Sequence, residues 1–200
     1  YDVTEGKILL DGIDIRHYSY NDYLKMFSTV FQDFRIYAFT VYENIALAQT
    51  DRASKKELDE IIDMGGLSER IKRLKNGGNT YMFREFEEDG VELSGGEQQK
   101  LALCSSIYRD APIVILDEPT AMLSPAAEYE VYTNFDKLIG NKTAIYISHR
   151  MSSCRFSDSI AVFHQGRIIE YGTHQQLLGL NRHYAKMFNA QADYYKELNG

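Results

Sequence analysis

Two hundred residues, 44% of them hydrophobic, are enough for one domain with a buried core. The formal net charge of −7 argues against a nucleic-acid partner, because neutralising phosphates requires clustered Lys and Arg. Apolar runs such as Ile113–Leu116 fall far short of the ~20 residues that cross a bilayer as a helix. Tyr1–Gly6 lacks a basic-then-apolar leader pattern and reads as the interior of something longer. Lys7–Gly12 reads as a short strand ending in an Asp-Gly turn, and a second strand is expected over Thr29–Phe31.

From Val41 to about Arg84 the texture is helical. Ser54 followed by Glu57 fits a capping box, Leu58, Ile61 and Ile62 recur at helical spacing, and Gly65-Gly66 and Gly77-Gly78 punctuate the stretch. Beyond Ser94, helix and strand alternate. Ile113–Leu116 has the continuous apolar character of a strand covered on both faces, and Thr143–Ile147 and Ser159–Phe163 share it. Between them, Ala126–Leu138 carries Val131, Phe135 and Leu138 as one apolar stripe. The alternation predicts an α/β fold with right-handed crossovers and a mostly parallel sheet. A hairpin over Ala161–Glu170, turning at Gln165-Gly166, and a helical stretch over His174–Leu198 close the chain. Cys104 and Cys154 have no metal-ligand spacing around them and are expected to stay reduced.

Five short segments carry chemistry. They are Val30–Asp33 (VFQD), Leu93–Lys100 (LSGGEQQK), Ile113–Glu118 (IVILDE), Ala121–Ser124 (AMLS) and Ile147–Arg150 (ISHR). A hydrophobic strand ending in Asp117-Glu118 puts two carboxylates at the carboxyl edge of a sheet, where α/β folds bind ligands. An aspartate there can hold Mg²⁺, and a neighbouring glutamate can take a proton from an attacking water. Gly95 and Gly96 ahead of a helix let the backbone approach an anion, with Ser94 adding a hydroxyl donor. Each segment alone has a plainer reading: a solvated strand end, an ordinary serine N-cap, a surface histidine at His149.

In this order the segments resemble the nucleotide-binding domain of ATP-binding cassette (ABC) proteins, and the resemblance covers essentially all 200 residues. It implies a P-loop NTPase-like mostly parallel sheet with a helical subdomain. The chain would form a single partial ABC ATPase domain, with strands and Q-loop over 1–40. A helical subdomain and X-loop would follow over 41–92. Residues 93–200 would then carry the signature, Walker B strand, D-loop, switch histidine and C-terminal helices. The resemblance further implies ATP and Mg²⁺ as cofactors. Asp117 would support the metal, Gln32 would sense the metal and the γ-phosphate of bound ATP while coupling to transmembrane domains, Glu118 would be the catalytic carboxylate, and His149 would contact the γ-phosphate. Ser94, Gly95, Gly96, Glu97 and Ser124 would face nucleotide held by a second cassette in a head-to-tail dimer. Arg84–Gly90 and the tail Asn181–Tyr195 resemble exporter half-transporters. The implied partners are transmembrane domains, the expected place is the cytoplasmic face of a bacterial cell membrane, and the work is ATP-driven export.

The chain also departs from the pattern. The phosphate-cradling G-x-x-x-x-G-K-[ST] sequence (Walker A) is absent, so the chain is expected to begin after that loop, to lack the strand and helix around it, and to be nearly inactive alone. Ser124 stands where the family usually has an aspartate, and Cys104-Ser105-Ser106 replaces a stretch usually rich in alanine and arginine. A degenerate cassette acting as an interaction module, and a soluble ABC protein without membrane partners, remain the alternatives.

Overall fold

The computed structural model describes residues 3–47, 53–124, 127–129, 131–133, 139–140 and 142–199. The chain divides into two units, residues 1–123 with 133–147 and residues 124–132 with 148–200.

The first unit opens with a two-stranded hairpin, β1 (Leu9–Leu10) and β2 (Ile13–Asp14), paired antiparallel. The Asp-Gly signal of the sequence is its turn, with Asp11 and Gly12 at φ 49° and 79°. The expected strand over Lys7–Gly12 is therefore the first arm of a hairpin. Helix α1 (Tyr20–Lys25) starts at Ser19, whose hydroxyl accepts from the Asp22 N–H. Strand β3 covers Phe27–Val30, so the expected strand begins two residues earlier and Phe31 lies beyond its end, exposed.

Three helices follow: α2 (Val41–Ala46), α3 (Lys55–Met64) and α4 (Ser68–Lys72). The Ser54/Glu57 capping box forms as expected, and a Thr40/Glu43 box starts α2 in the same way. Their apolar faces, including Val41, Ile45, Leu58, Ile61, Ile62 and Ile71, pack with Leu101 and Cys104 of α5 (Gly95–Tyr108) into one buried core. The loop between Met82 and Val91 is closed by a bridge between those residues. Gly90 is required there: a Cβ would lie 1.5 Å from the Phe83 carbonyl oxygen.

Strands β3, β4 (Ile113–Asp117) and β5 (Thr143–Ile147) form a parallel sheet with β4 in the centre, in register from Phe27↔Ile113 and Ile113↔Thr143. Val114 and Leu116 are buried, and Ser28 of β3 meets α5 on that side. The opposite face carries Ile113, Ile115, Ile145 and Ile147, of which Ile145 is 47% and Ile147 52% exposed. A strand covered on both faces was the expectation for Ile113–Leu116. Burial instead alternates, because α5 covers one side of the sheet and the other is open among the described residues.

In the second unit, residues 127–129 and 131–132 are helical, and Val131 is buried; Phe135 and Leu138, the rest of the expected stripe, lie outside the described residues. Strands β6 (Ile160–His164) and β7 (Arg167–Gly172) pair antiparallel, turning at Gln165-Gly166 as expected. This hairpin is a sheet of its own and does not extend the parallel one. The closing stretch is two helices, α6 (His174–Gly179) and α7 (His183–Asn199), broken where Asn181 adopts φ 50°. Buried Glu170 accepts from the His183 and Tyr184 N–H groups at 2.7 and 3.3 Å and caps α7. Met151, Val162, Leu177 and Tyr184 form this unit's core. No described helix is long and apolar enough to cross a membrane.

Both cysteines are free. Burial pushes the Cys104 thiol up to about 12 and raises that of Cys154. Cys104 should therefore resist alkylation at pH 8 until the protein is unfolded, which mass spectrometry after timed iodoacetamide exposure would read. Leu101 is fully buried between α5 and its neighbours. Leu101→Ala should cost about 3 kcal/mol of stability, whereas exposed Leu9→Ala should cost under about 0.5 kcal/mol, as measured by urea denaturation.

Candidate functional site

The parallel sheet delivers its central strand's last residue, Asp117, opposite Ile147 at the end of β5. One residue on, the Glu118 N–H extends the ladder to the Ile147 carbonyl at 2.9 Å. There the chain turns sharply. Glu118 adopts φ 48°, a left-handed conformation that side-chain-bearing residues rarely hold without support. The Ala121 N–H closes the turn onto the Glu118 carbonyl at 3.1 Å, and Pro119 and Thr120 are buried beneath it.

Gln32 lies two residues past β3. Its Nε2 donates to Glu118 Oε2 at 3.1 Å, a contact between residues 86 apart in sequence. Three of the candidate residues, Gln32, Asp117 and Glu118, thus share the carboxyl edge of one sheet. They offer two carboxylates and an amide oxygen, with no thiolate or imidazole. That donor set suits Mg²⁺, which takes one or two carboxylates and keeps its remaining waters. Among the described residues, no group of three or more His, Cys, Asp or Glu side chains is arranged to hold a metal by itself.

The signature segment forms the start of α5. Ser94 is the N-cap, and Glu97 completes a capping box by accepting from the Ser94 N–H at 2.8 Å and the Ser94 hydroxyl at 2.9 Å. Arg70 of α4 also reaches the Glu97 carboxylate, at 3.3 Å. The hydroxyl expected to serve an anion is therefore donated to Glu97 here. Gly95 and Gly96 have a reason beyond anion approach. A Cβ on either would come within 3.0 Å of the Met122 sulfur or of Leu123 Cδ2, so the start of α5 packs directly on residues 122–123.

Gln99, one turn into α5, escaped the sequence reading. It is 2% exposed, and both ends of its amide are engaged by the turn after β4. Nε2 donates to the Glu118 carbonyl at 3.2 Å, and Oε1 accepts from the Met122 N–H at 3.2 Å. The amide orientation follows from its partners, since a carbonyl requires the NH₂ end and an N–H requires the oxygen.

His149 and Ser124 belong to the second unit. His149 is exposed, and its carbonyl accepts from Gln191 Nε2 at 2.8 Å while Gln191 Oε1 accepts from the Met151 N–H at 2.8 Å. Helix α7 thus holds the backbone on both sides of Arg150. Arg150 pairs with Glu128 at 3.0 Å, and the Glu128 side chain is only 6% exposed. Ser124 caps the helical residues after it, accepting the Ala127 N–H on its hydroxyl at 3.3 Å and the Glu128 N–H on its carbonyl at 2.8 Å. Glu128 and Gln191 carried no local signal in the sequence, because their partners lie 22 and 40 or more residues away.

Residues 1–121 match the ABC transporter family. An ATP-dependent lipid A-core flippase of Methylobacillus flagellatus is 39% identical over 191 residues, covering 96% of this chain and 32% of the relative. The flippase of the same description in Salmonella typhimurium is 36% identical over the same length. The chain thus spans about a third of the length of the curated relatives it matches, 32% in each of these two. Among solved structures, a bacterial Atm1-family ABC exporter with ATP bound superposes with a TM-score of 0.85 at 34% identity, over 96% of this chain and 33% of that one. That likeness bears out the P-loop NTPase-like α/β fold expected from the sequence. With more than half of its length matched by the family and relatives above 30% identity along nearly all of it, the chain belongs to the ABC transporter family.

Proposed function

We propose that these residues are the ATP-binding and ATP-hydrolysing part of an ABC exporter. The observation that carries the reading is the Gln32–Glu118 contact beside Asp117, which gathers two distant motifs at the carboxyl edge of the parallel sheet. Asp117 and Gln32 would hold Mg²⁺, which supplies charge neutralisation on the phosphates when bound. Glu118 orients the attacking water and accepts its proton, and His149 contacts the terminal phosphate. Ser94, Gly95, Gly96, Glu97 and Ser124 face the nucleotide of a second cassette. ATP-dependent pairing of the two cassettes drives transmembrane domains from the cytoplasmic face of the membrane. The relatives are, by their names, flippases of lipid A-core, and an amphipathic lipid is the cargo class that this likeness favours.

A second reading has its own support. Ser124 replaces an acidic residue in the D-loop, and a cassette that binds nucleotide without turning it over would serve as a regulatory partner in a heterodimer. The two readings separate in one assay. Hydrolysis of Mg-ATP by the full natural-length protein should fall by about 100-fold or more in Glu118→Gln, with ATP affinity within about twofold of the wild type. Residues 1–200 alone, lacking G-x-x-x-x-G-K-[ST], should bind and hydrolyse little. Turnover that survives Glu118→Gln would refute the assignment of the catalytic carboxylate. ATP binding without turnover in the wild type would establish the regulatory reading.

A further inference from the structure

We propose that Gln99 is a positioning residue for Glu118: through one side-chain amide, the signature helix holds the turn that carries the catalytic carboxylate. The inference rests on the ATPase reading above, and the observations behind it are independent of any ligand. Glu118 is in a left-handed conformation that must be held from outside. Its carbonyl receives two donors, the Ala121 N–H from within the turn and Gln99 Nε2 from α5. The same amide accepts the Met122 N–H, so Gln99 spans the turn from its first residue to its fifth. At 2% exposure Gln99 has no water to exchange for these partners, and losing it would leave a backbone carbonyl and a backbone N–H to find others.

The placement within α5 gives the clamp its consequence. Five residues before Gln99 the same helix begins at Ser94, and Gly95 and Gly96 pack so closely against Met122 and Leu123 that an added Cβ would press on those side chains. The N-terminal turn of α5 and the segment 118–123 are therefore held at two places, by the glycine contact and by the amide. A shift of Ser94 along the helix axis, of the kind a nucleotide at the signature would impose, reaches Glu118 through the rigid first turns of α5. Gln32 donates to the Glu118 carboxylate, so the side chain and the backbone of one residue are held by two different motifs.

The test uses the full natural-length protein with two variants. Gln99→Met keeps the volume and removes both hydrogen bonds. Gln99→Glu keeps the acceptor for the Met122 N–H and loses the donor to the Glu118 carbonyl while it is ionised. In Gln99→Met, kcat should fall at least about 10-fold while KM for ATP stays within about twofold, as misplacement of a catalytic group predicts. Amide hydrogen exchange at Met122 should accelerate. Gln99→Glu should show the same loss at pH 8 and recover toward the wild type at pH 6, because a buried carboxyl titrates high and regains a donor once protonated. A purely structural role predicts no such recovery. The proposal is overturned by kcat within twofold of the wild type in Gln99→Met, by unchanged exchange at Met122, or by a Gln99→Glu loss that does not vary with pH. If wild-type turnover proves independent of Glu118, the assignment of Glu118 as the catalytic carboxylate fails, and the exchange measurement alone then decides whether Gln99 holds the turn.

Discussion

Helix α5 is buried on two sides, and most of the first unit is organised by that fact. Toward the sheet, Ser106 meets Ser28 of β3: the Ser28 hydroxyl lies 2.7 Å from the Ser106 carbonyl and 2.8 Å from the Ser106 hydroxyl, with both residues buried. Toward the helical core, Leu101 and Cys104 are fully buried against α2 and α3. The buried positions 99, 101, 103, 104 and 106 cover more than half of the circumference of the helix and include the polar Gln99 and Ser106. A buried face that mixes polar with apolar residues shows no clean apolar stripe, which is why α5 is marked by its N-terminal motif and not by periodicity. The serines that lower its helix propensity have a reason in the packing. The small side chain of Ser106 lets β3 approach closely, and the Ser28 and Ser106 hydroxyls pair with each other in a buried setting.

Features that depend on neighbours in the chain were legible in the sequence. The Ser54/Glu57 box, the Gln165-Gly166 hairpin turn and the strand Thr143–Ile147 fall where spacing put them, because each is decided within a handful of residues. Features that depend on what covers a surface were not. Ile113–Leu116 read as covered on both sides because its residues are all apolar, yet hydrophobic composition reports only that a face tolerates burial. The register Ile113↔Thr143 puts Ile115 and Ile145 side by side on the open face, and no local pattern separates them from Val114 and Leu116 on the closed one. The break between α6 and α7 was missed for a related reason. Gly179 and Asn181 mark the break only weakly within a helical pattern, and the N-terminus of α7 is capped by Glu170 from β7, outside the helix sequence altogether.

The candidate site divides along the same line. Asp117, Glu118, Gln32 and Ser94 were legible because motifs mark them, and their chemistry follows from residue type. The supports of those residues were not, since Gln99, Gln191 and Glu128 look like ordinary polar positions within helices. Ser124 shows how a departure from a motif can leave the architecture intact. Serine and aspartate are comparable N-caps, and the Ser124 hydroxyl accepts the Ala127 N–H; set against the aspartate of the family pattern, a serine there caps the helix without the charge.

The two units use one device to fix the backbone of Glu118 and His149, the residues proposed above to act on ATP. In the first, Gln99 bridges the carbonyl of Glu118 and the N–H of Met122; in the second, Gln191 bridges the carbonyl of His149 and the N–H of Met151. A side chain that does this must offer a donor and an acceptor on one rigid plane. A carboxylate supplies acceptors alone, and lysine or arginine donors alone. The length of glutamine also lets a helix reach a loop backbone without the helix itself entering the site. Left-handed backbone at a non-glycine residue costs of order 1–3 kcal/mol, and Glu118 would relax out of φ 48° if its carbonyl and the ladder bond to Ile147 were not both held. Each clamp grasps the backbone, so the contacts it makes do not involve the Glu118 or His149 side chain.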